Sequence, residues 1–398
     1  MGIVEFSSFD TTLRDGAQAL DENRHQFERG SKPKIAGAIA ALGVDIIEAG
    51  FPATPDDAAE VQAVSRSVGN TTYEVNDWEN GERTGVSHST PVIAGLSRAT
   101  TGDIEATWGA ISDAKRPRIH TFISVDDNHM KAKFPGKTSQ SVLNMGRESI
   151  RYARDISAEK SDATIEFSAE ASTTADESFL ESVVKMSAEE GVDVLNMPDT
   201  VGQRDPFWMY EFYKRILGWA IPINPDITIS SHPHNDLGLA VANSIALVRA
   251  ASDYASYSQK RIRIQSEGTI CGLGERAGNA DLIAVMGGLF KFTRDSDTPV
   301  KFSFNPQRAV GTATEVMAAA SYEVPPKSPL VGSETNKHRS GIHSDGILKA
   351  GKDGFKIYTP HDPRFWGHDQ SAVHEGGRYQ GRKGLKAASA KDCVLTPA

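Results

Sequence analysis

The sequence contains only two cysteines in 398 residues, Cys271 and Cys393. Two thiols so far apart supply neither a disulfide framework nor the paired spacing of a zinc or redox motif. Long apolar runs are missing too: nothing approaches the roughly 18 to 20 residues of a membrane span, and no basic N-terminal segment leads into an apolar core. A cytoplasmic protein with no membrane partner is the expectation. Positive charge is in deficit, with 43 Lys and Arg against 52 Asp and Glu, a formal net charge of -9. That balance argues against a broad nucleic-acid surface but leaves room for one basic patch holding a phosphate-bearing ligand. No solenoid-period repeat and no low-complexity tract is present. What remains is 39% hydrophobic and 24% charged, the composition of a globular enzyme long enough for a barrel and a smaller appendage.

From residue 3 to about 290, short apolar runs alternate with longer amphipathic stretches. The runs predict eight strands: Ile3 to Phe9, Val44 to Ala49, Pro91 to Leu96, Arg118 to Ile123, Ala163 to Ser168, Val192 to Met197, Ile227 to Ser231 and Arg261 to Glu267. Eight βα units favour an α/β fold, a (β/α)8 TIM barrel, followed here by a small C-terminal accessory subdomain. Between the first two strands, Pro33 marks a helix start and Ile35, Ile39 and Leu42 give it an apolar face. Asn70 to Thr90 breaks the rhythm and reads as an inserted surface loop. Pro325-Pro326 marks the end of the βα pattern, so the expected division is a catalytic barrel over 1–324 and an accessory region over 325–398.

Two distant segments carry the chemistry. Phe9-Asp10-Thr11-Thr12-Leu13-Arg14-Asp15-Gly16 and Ser231-His232-Pro233-His234-Asn235-Asp236 each sit at the end of a predicted strand. Residues two apart on a strand face one side, so His232 and His234 can reach one ion, with Asp15 as the oxygen ligand. Such a mixed N/O set suits a divalent metal, Zn, Mn or Mg. Taken alone, two histidines at a strand end are as readily just hydrogen-bonded; the neighbouring Arg14-Asp15 tips the balance. The guanidinium of Arg14 can hold a carboxylate or stabilise an enolate oxygen beside the ion. Asn235 to Gly238 read as a helix start able to hold the imidazoles, while Gln18 and Glu48 read as supporting structure. The run Gly268 to Asn279 matches neither a Walker loop nor a dinucleotide fingerprint. It places Glu275 and Asn279 four apart on an expected helix start at the same mouth. Ser340-Gly341-Ile342-His343 in the accessory region puts a histidine among glycines, which suggests close approach to something.

These residues resemble the metal-dependent family of Claisen-type condensing enzymes and lyases built on a (β/α)8 barrel. The likeness rests on Asp10-Thr11-Thr12-Leu13-Arg14-Asp15-Gly16 and His232-Pro233-His234-Asn235-Asp236, with Arg116 to Ile123, Asn196 to Gly202, Gly272 to Asn279 and Ser340 to His343 following in family order. It covers residues 5 to about 385. The resemblance implies that a small 2-oxo acid chelates a divalent metal held by Asp15, His232, His234 and Asn279, and that acetyl-CoA is the co-substrate. It assigns catalytic roles to Arg14, Glu170, His343 and Tyr358, and an oxo-acid pocket to Arg14, Leu96, His120, Ser168, Asn196 and Thr200. Glu275 and Asn279 fall on the acetyl-CoA side. It also implies a homodimer in which the accessory region reaches the neighbouring site.

Two departures qualify the likeness. Ala17 stands where many relatives have Glu, so any contact made by that carboxylate is missing here. The sequence ends soon after Gly381-Arg382-Lys383-Gly384-Leu385, where long members continue into a leucine-binding regulatory domain, so feedback by leucine is expected to be absent. Among oxo acids, 3-methyl-2-oxobutanoate is the first expectation, with pyruvate and 2-oxoglutarate as alternatives. One methylene in an apolar pocket discriminates by only about 1 to 3 kcal/mol. Cys271 occupies the loop where the lyase branch carries a catalytic cysteine, but the surrounding Gly274-Glu275-Arg276-Ala277-Gly278-Asn279 is the synthase pattern, so it is read as packing. A metallohydrolase of the amidohydrolase kind usually carries its His-x-His on the first strand, not the seventh. A non-catalytic paralogue conflicts with the retained Asp15, His232, His234, Arg14 and His343.

Overall fold

The structure, a computed structural model, describes residues 2–21 and 26–370 and the backbone of 373–374. Gly381 to Leu385 and Cys393 lie outside the described residues. The strands of the main sheet are β1 (Ile3–Asp10), β2 (Ile46–Glu48), β3 (Tyr73–Glu79), β4 (Glu82–Ser89), β5 (Val92–Arg98), β6 (Pro117–Ser124), β7 (Thr164–Glu170), β8 (Val194–Asp199), β9 (Thr228–Pro233), β10 (Arg261–Gly268) and β11 (Val300–Ser303). Eight of them pair in parallel in the order β1-β2-β5-β6-β7-β8-β9-β10, and β10 returns to β1 along its whole length, closing a barrel. Helices α1 (Lys32–Ala41), α2 (Pro55–Ser67), α3 (Thr101–Ile111), α4 (Asp127–Lys133), α5 (Ser139–Ser157), α6 (Glu177–Glu189), α7 (Pro206–Ala220), α8 (Ala240–Ser258) and α9 (Leu282–Phe292) fill the crossovers. All eight predicted strands appear, because each buried run is bounded by the polar turn that ends it.

The expected surface loop over 70–90 is instead the antiparallel hairpin β3–β4. Its two-residue turn is Asn80-Gly81, with φ of 49° and 74°, the left-handed pair that matches the twist of a hairpin. That Asn-Gly pair was the overlooked signal. The hairpin has a structural task. Because β2 is three residues long and meets β1 only at Phe9 and Asp10, the other end of β1 is left open on that side. Strand β11 takes the gap at Val4 and Glu5 and pairs on its far side with β3. Trp78 seals the layer, buried edge-on against Phe290 at 4.7 Å and donating its indole N–H to Phe304 O at 2.8 Å.

Two compact units make up the chain: residues 1–304 with 319–321, and residues 305–318 with those from 322 onward. The second unit therefore takes in α10 (Ala309–Ala319) almost entirely, although that helix precedes the Pro325-Pro326 break. It also holds β12 (Lys337–His338), α11 (Gly341–Ala350), α12 (Phe355–Tyr358) and β13 (Val373–His374). Trp366, almost fully buried, packs edge-on to Phe365 at 5.2 Å. No described helix is long and apolar enough to cross a membrane.

Candidate active site

Barrel strands send alternate side chains inward, and here the inward set is polar apart from Phe122. Arg118, His120 and Phe122 follow one another on β6, Glu166, Ser168 and Glu170 on β7, Ser230 and His232 on β9, and Gln265 and Glu267 on β10. The ends of these strands and the turns after them line a cavity of about 370 Å³.

The turn after β1 is wide. Both Asp15 and Gly16 return their N–H groups to Thr11 O, at 2.8 and 3.2 Å. Asp10 fixes its entry by accepting from Thr12 N and Thr12 Oγ1, and burial raises the Asp10 carboxyl to about 7. Thr12 Oγ1 in turn accepts from Ile270 N, tying the first strand to the glycine-rich run. The repeated Thr-Thr of the motif thus shapes the turn, while Arg14 and Asp15 are delivered to the mouth.

Asp15, His232 and His234 each offer a ligand atom within 4.8 Å of the others. Asp15 Oδ2 lies 3.0 Å from His232 Nε2 and accepts from Asn279 Nδ2 at 2.7 Å. On its other oxygen Asp15 meets Arg14 Nη1 at 3.0 Å and Gln18 Nε2 at 2.8 Å. Burial opposes ionisation of Asp15, yet Arg14 and the two histidines hold it well below the usual carboxylate range. Glu267 Oε2 sits 2.7 Å from His232 Nδ1, so the ring lies between two carboxylates. Burial disfavours charge on His232, but Glu267 and Asp15 outweigh it and raise the ring to about 10. Burial and the charge on His232 push His234 down to about 4, leaving its imidazole neutral.

The residues fit a divalent ion. His234 Nδ1 and Asn279 Oδ1 are both buried without a hydrogen-bond partner, two donor atoms held at a real cost. An ion would take the place of the proton shared between His232 Nε2 and Asp15, leaving Glu267 to orient the ring. Gly274 makes room for the amide, since a Cβ there would come within 2.5 Å of Asn279 Oδ1. Asn279 and His234 also face each other across an isolated β-bridge.

Beside this cluster Arg14 donates Nε to Glu48 Oε2 at 2.6 Å, and Thr11 Oγ1 donates to the same oxygen. Glu48 Oε1 meets His120 Nδ1 at 2.7 Å, and the other nitrogen of His120 meets Ser168 Oγ at 2.7 Å. Burial would raise Glu48, but Arg14 and His120 take it down to about 2. Asn196 Nδ2 donates to Ser168, leaving a buried and unpartnered Oδ1.

A profile of the HMGL-like family matches residues 5–303. The chain belongs to the HMGL-like family. Within it, the chain is similar to the 2-isopropylmalate synthase of Pyrococcus furiosus, 37% identical over 379 residues, covering 95% of this chain and 67% of the relative. The corresponding figures for the 2-isopropylmalate synthase of Carboxydothermus hydrogenoformans are 37%, 95% and 65%. The chain thus spans about two thirds of the length of these relatives. The hydroxymethylglutaryl-CoA lyase of Pseudomonas aeruginosa, 15% identical at a TM-score of 0.55 over 80% of this chain and 93% of that one, shares the fold.

Against this HMGL-like barrel, the expected site residues sort cleanly. Arg14, Asp15, Leu96, His120, Ser168, Glu170, Asn196, Thr200, His232, His234 and Glu275 all line the one cavity, and Asn279 lies buried against Asp15. His343 and Tyr358 belong to the second unit, stacked at 3.9 Å with an interplanar angle of 11°. Two local expectations are corrected. Glu275 and Asn279 lie in an irregular loop, since α9 begins only at Leu282. Arg276 and Gly278 adopt positive φ there, a path no helix can follow. The His232 imidazole is held by Glu267 and not by residues after His234: Asp236 pairs with Arg276 at 2.8 Å, and α8 begins at Ala240. Glu267 was legible only as the last residue of a strand. Arg98, Phe122 and Arg276 also line the cavity; Phe122 and Arg276 fall within segments that carry the family resemblance but had no assigned role, and Arg98 falls in none of them.

Proposed function

We propose that the chain is an acyltransferase that condenses acetyl-CoA with 3-methyl-2-oxobutanoate, giving 2-isopropylmalate and CoA, a step of leucine biosynthesis. The observation that carries this reading is the meeting of Asp15, His232, His234 and Arg14 on one cavity in a chain 37% identical to 2-isopropylmalate synthases. When bound, a divalent metal, Mg, Mn or Zn, held by Asp15, His232, His234 and Asn279 supplies Lewis acidity toward the oxo acid. Arg14 grips the same substrate, its guanidinium set by Glu48. Leu96, His120, Ser168, Asn196 and Thr200 surround the acid, with Ser168 and Asn196 offering polar contacts.

Glu170 is the proposed base. Its carboxylate is fixed by Lys133 Nζ, 2.6 Å from each oxygen, and by Ser124 Oγ. It takes a proton from the acetyl methyl, and the carbanion carbon bonds to the keto carbon while the keto oxygen becomes a hydroxyl. Water then cleaves the thioester, releasing the carboxylate product and the CoA thiol. His343 and Tyr358 assist proton movement from the accessory region of a partner copy, in a homodimer. Glu275 and Asn279 face the acetyl-CoA side. The protein works in the cytoplasm, with the barrel over 1–324 as its catalytic part.

The test is release of free CoA thiol from acetyl-CoA in the presence of Mg or Mn, with 3-methyl-2-oxobutanoate, pyruvate and 2-oxoglutarate at equal concentration. Preference for the branched acid supports the reading. Preference for pyruvate or 2-oxoglutarate moves the assignment to citramalate or homocitrate synthesis, and no thiol release with any of the three refutes it.

A further inference from the structure

Lys32 is the first residue of α1, where a cation opposes the helix dipole and an acid is favoured. It is also partly buried, and burial lowers its pKa despite Glu60 and Asp57 nearby. Local energetics therefore disfavour a lysine at this position. Its ammonium donates to two main-chain carbonyls from different loops, Leu13 O at 3.0 Å and Ala49 O at 3.1 Å. The first belongs to the peptide that leads into Arg14, and the second follows Glu48 directly. Gly50 closes over the contact, since a Cβ there would stand 3.0 Å from the ammonium and 2.9 Å from Val61 Cγ2.

We propose that Lys32 is a positioning residue, clamping the turn that carries Arg14 and Asp15 to the end of the second strand so that Arg14 and Glu48 stay in register. Arg14 reaches Glu48 through Nε at 2.6 Å, and the lysine bonds the carbonyl just before Arg14 and the one just after Glu48. A charge-assisted bond to each carbonyl fixes the separation of those loops without adding a carboxylate, which would compete with Glu48 for Arg14. The catalytic half of this inference rests on the condensing activity proposed above; the clamp itself does not.

The experiment compares Lys32→Met and Lys32→Gln with the parent, full chain, by hydrogen exchange of peptides covering 12–16 and 48–51 and by steady-state kinetics. In Lys32→Met, exchange of both segments is expected to rise about tenfold while other barrel strands keep their protection. The value of kcat/KM for the oxo acid is expected to fall on the order of 10- to 100-fold through a raised KM for the acid, with KM for acetyl-CoA unchanged. A merely structural lysine would lower the active fraction without moving KM for the acid. Lys32→Gln keeps an uncharged N–H donor group on a shorter side chain and should fall between; if Lys32→Met does not fold, the same readings on Lys32→Gln decide. Unchanged exchange, or loosened segments with unchanged kcat/KM, overturns the positioning role. Loosened segments in a protein whose parent turns over no oxo acid leave the clamp standing and remove the condensing reading.

Discussion

Two clusters inside the barrel use the same chemistry and differ in what they lack. At the mouth stand Asp15, His232 and His234; below them His120, Glu166 and Glu267 also offer ligand atoms within 4.8 Å of one another. In the lower group every side chain is engaged. His120 bridges Glu48 and Ser168, Glu166 accepts from Arg118 at 3.1 Å and from Gln265 at 2.9 Å, and Glu267 accepts from Ser230 and faces His232. Arg118 already brings a positive charge there. At the mouth, His234 Nδ1 and Asn279 Oδ1 have no partner. Residue type does not distinguish the two groups; the unpartnered His234 Nδ1 and Asn279 Oδ1 at the mouth do, and they favour the mouth as the place for an ion.

The sharpest way to break this contrast is His234→Ala. Bound Mn and condensing activity should vanish together, activity falling roughly 10³-fold or more as several kcal/mol of charge stabilisation is lost. Full activity with metal retained would make the mouth a hydrogen-bond network like the one below. Next in size is Arg118→Met, which takes a buried donor from Glu166 and from Gln265. Unfolding should become easier by about 1 to 3 kcal/mol in urea titrations while metal stoichiometry stays the same; loss of metal with intact stability would reverse the assignment of the two clusters. Glu267 touches both groups, so Glu267→Gln should weaken Mn affinity about 10- to 100-fold, read by titration followed by paramagnetic resonance.

The smallest effect belongs to Glu166→Gln. Burial first, then Glu267, raises the Glu166 carboxyl from 4.5 to about 8. Between those values the unfolded chain has released a proton that the folded chain keeps, so this group lowers stability as pH rises. The amide removes that dependence. The melting temperature of the variant relative to the parent should therefore climb from pH 5 to pH 9, and a flat difference would show Glu166 already ionised beside Arg118.

How much of this could be read beforehand follows from the range of the forces involved. The eight strands were legible because a buried run bounded by turn residues is a local pattern. Asp15, His232 and His234 were legible because motif spacing places them at strand ends. Trp78 and its hairpin are not legible from apolar spacing, which is sparse over 70–90; their local signal is the Asn80-Gly81 turn. Glu267 and Lys32 were not legible as site residues at all. Glu267 meets His232 across 35 residues, and Lys32 reaches Leu13 and Ala49 across 19 and 17.

By itself the sequence determined the barrel and the two segments that supply its carboxylate and imidazoles, since strand periodicity and motif spacing are properties of neighbouring residues. Only the tertiary structure decided which polar atoms go unpartnered, which carboxylate meets His232, and which lysine joins the carbonyls of Leu13 and Ala49. Asn279 meets Asp15 only because β10 closes onto β1, a contact across 264 positions, whereas Glu267 meets His232 on the neighbouring strand and Lys32 bridges the ends of the first two βα units.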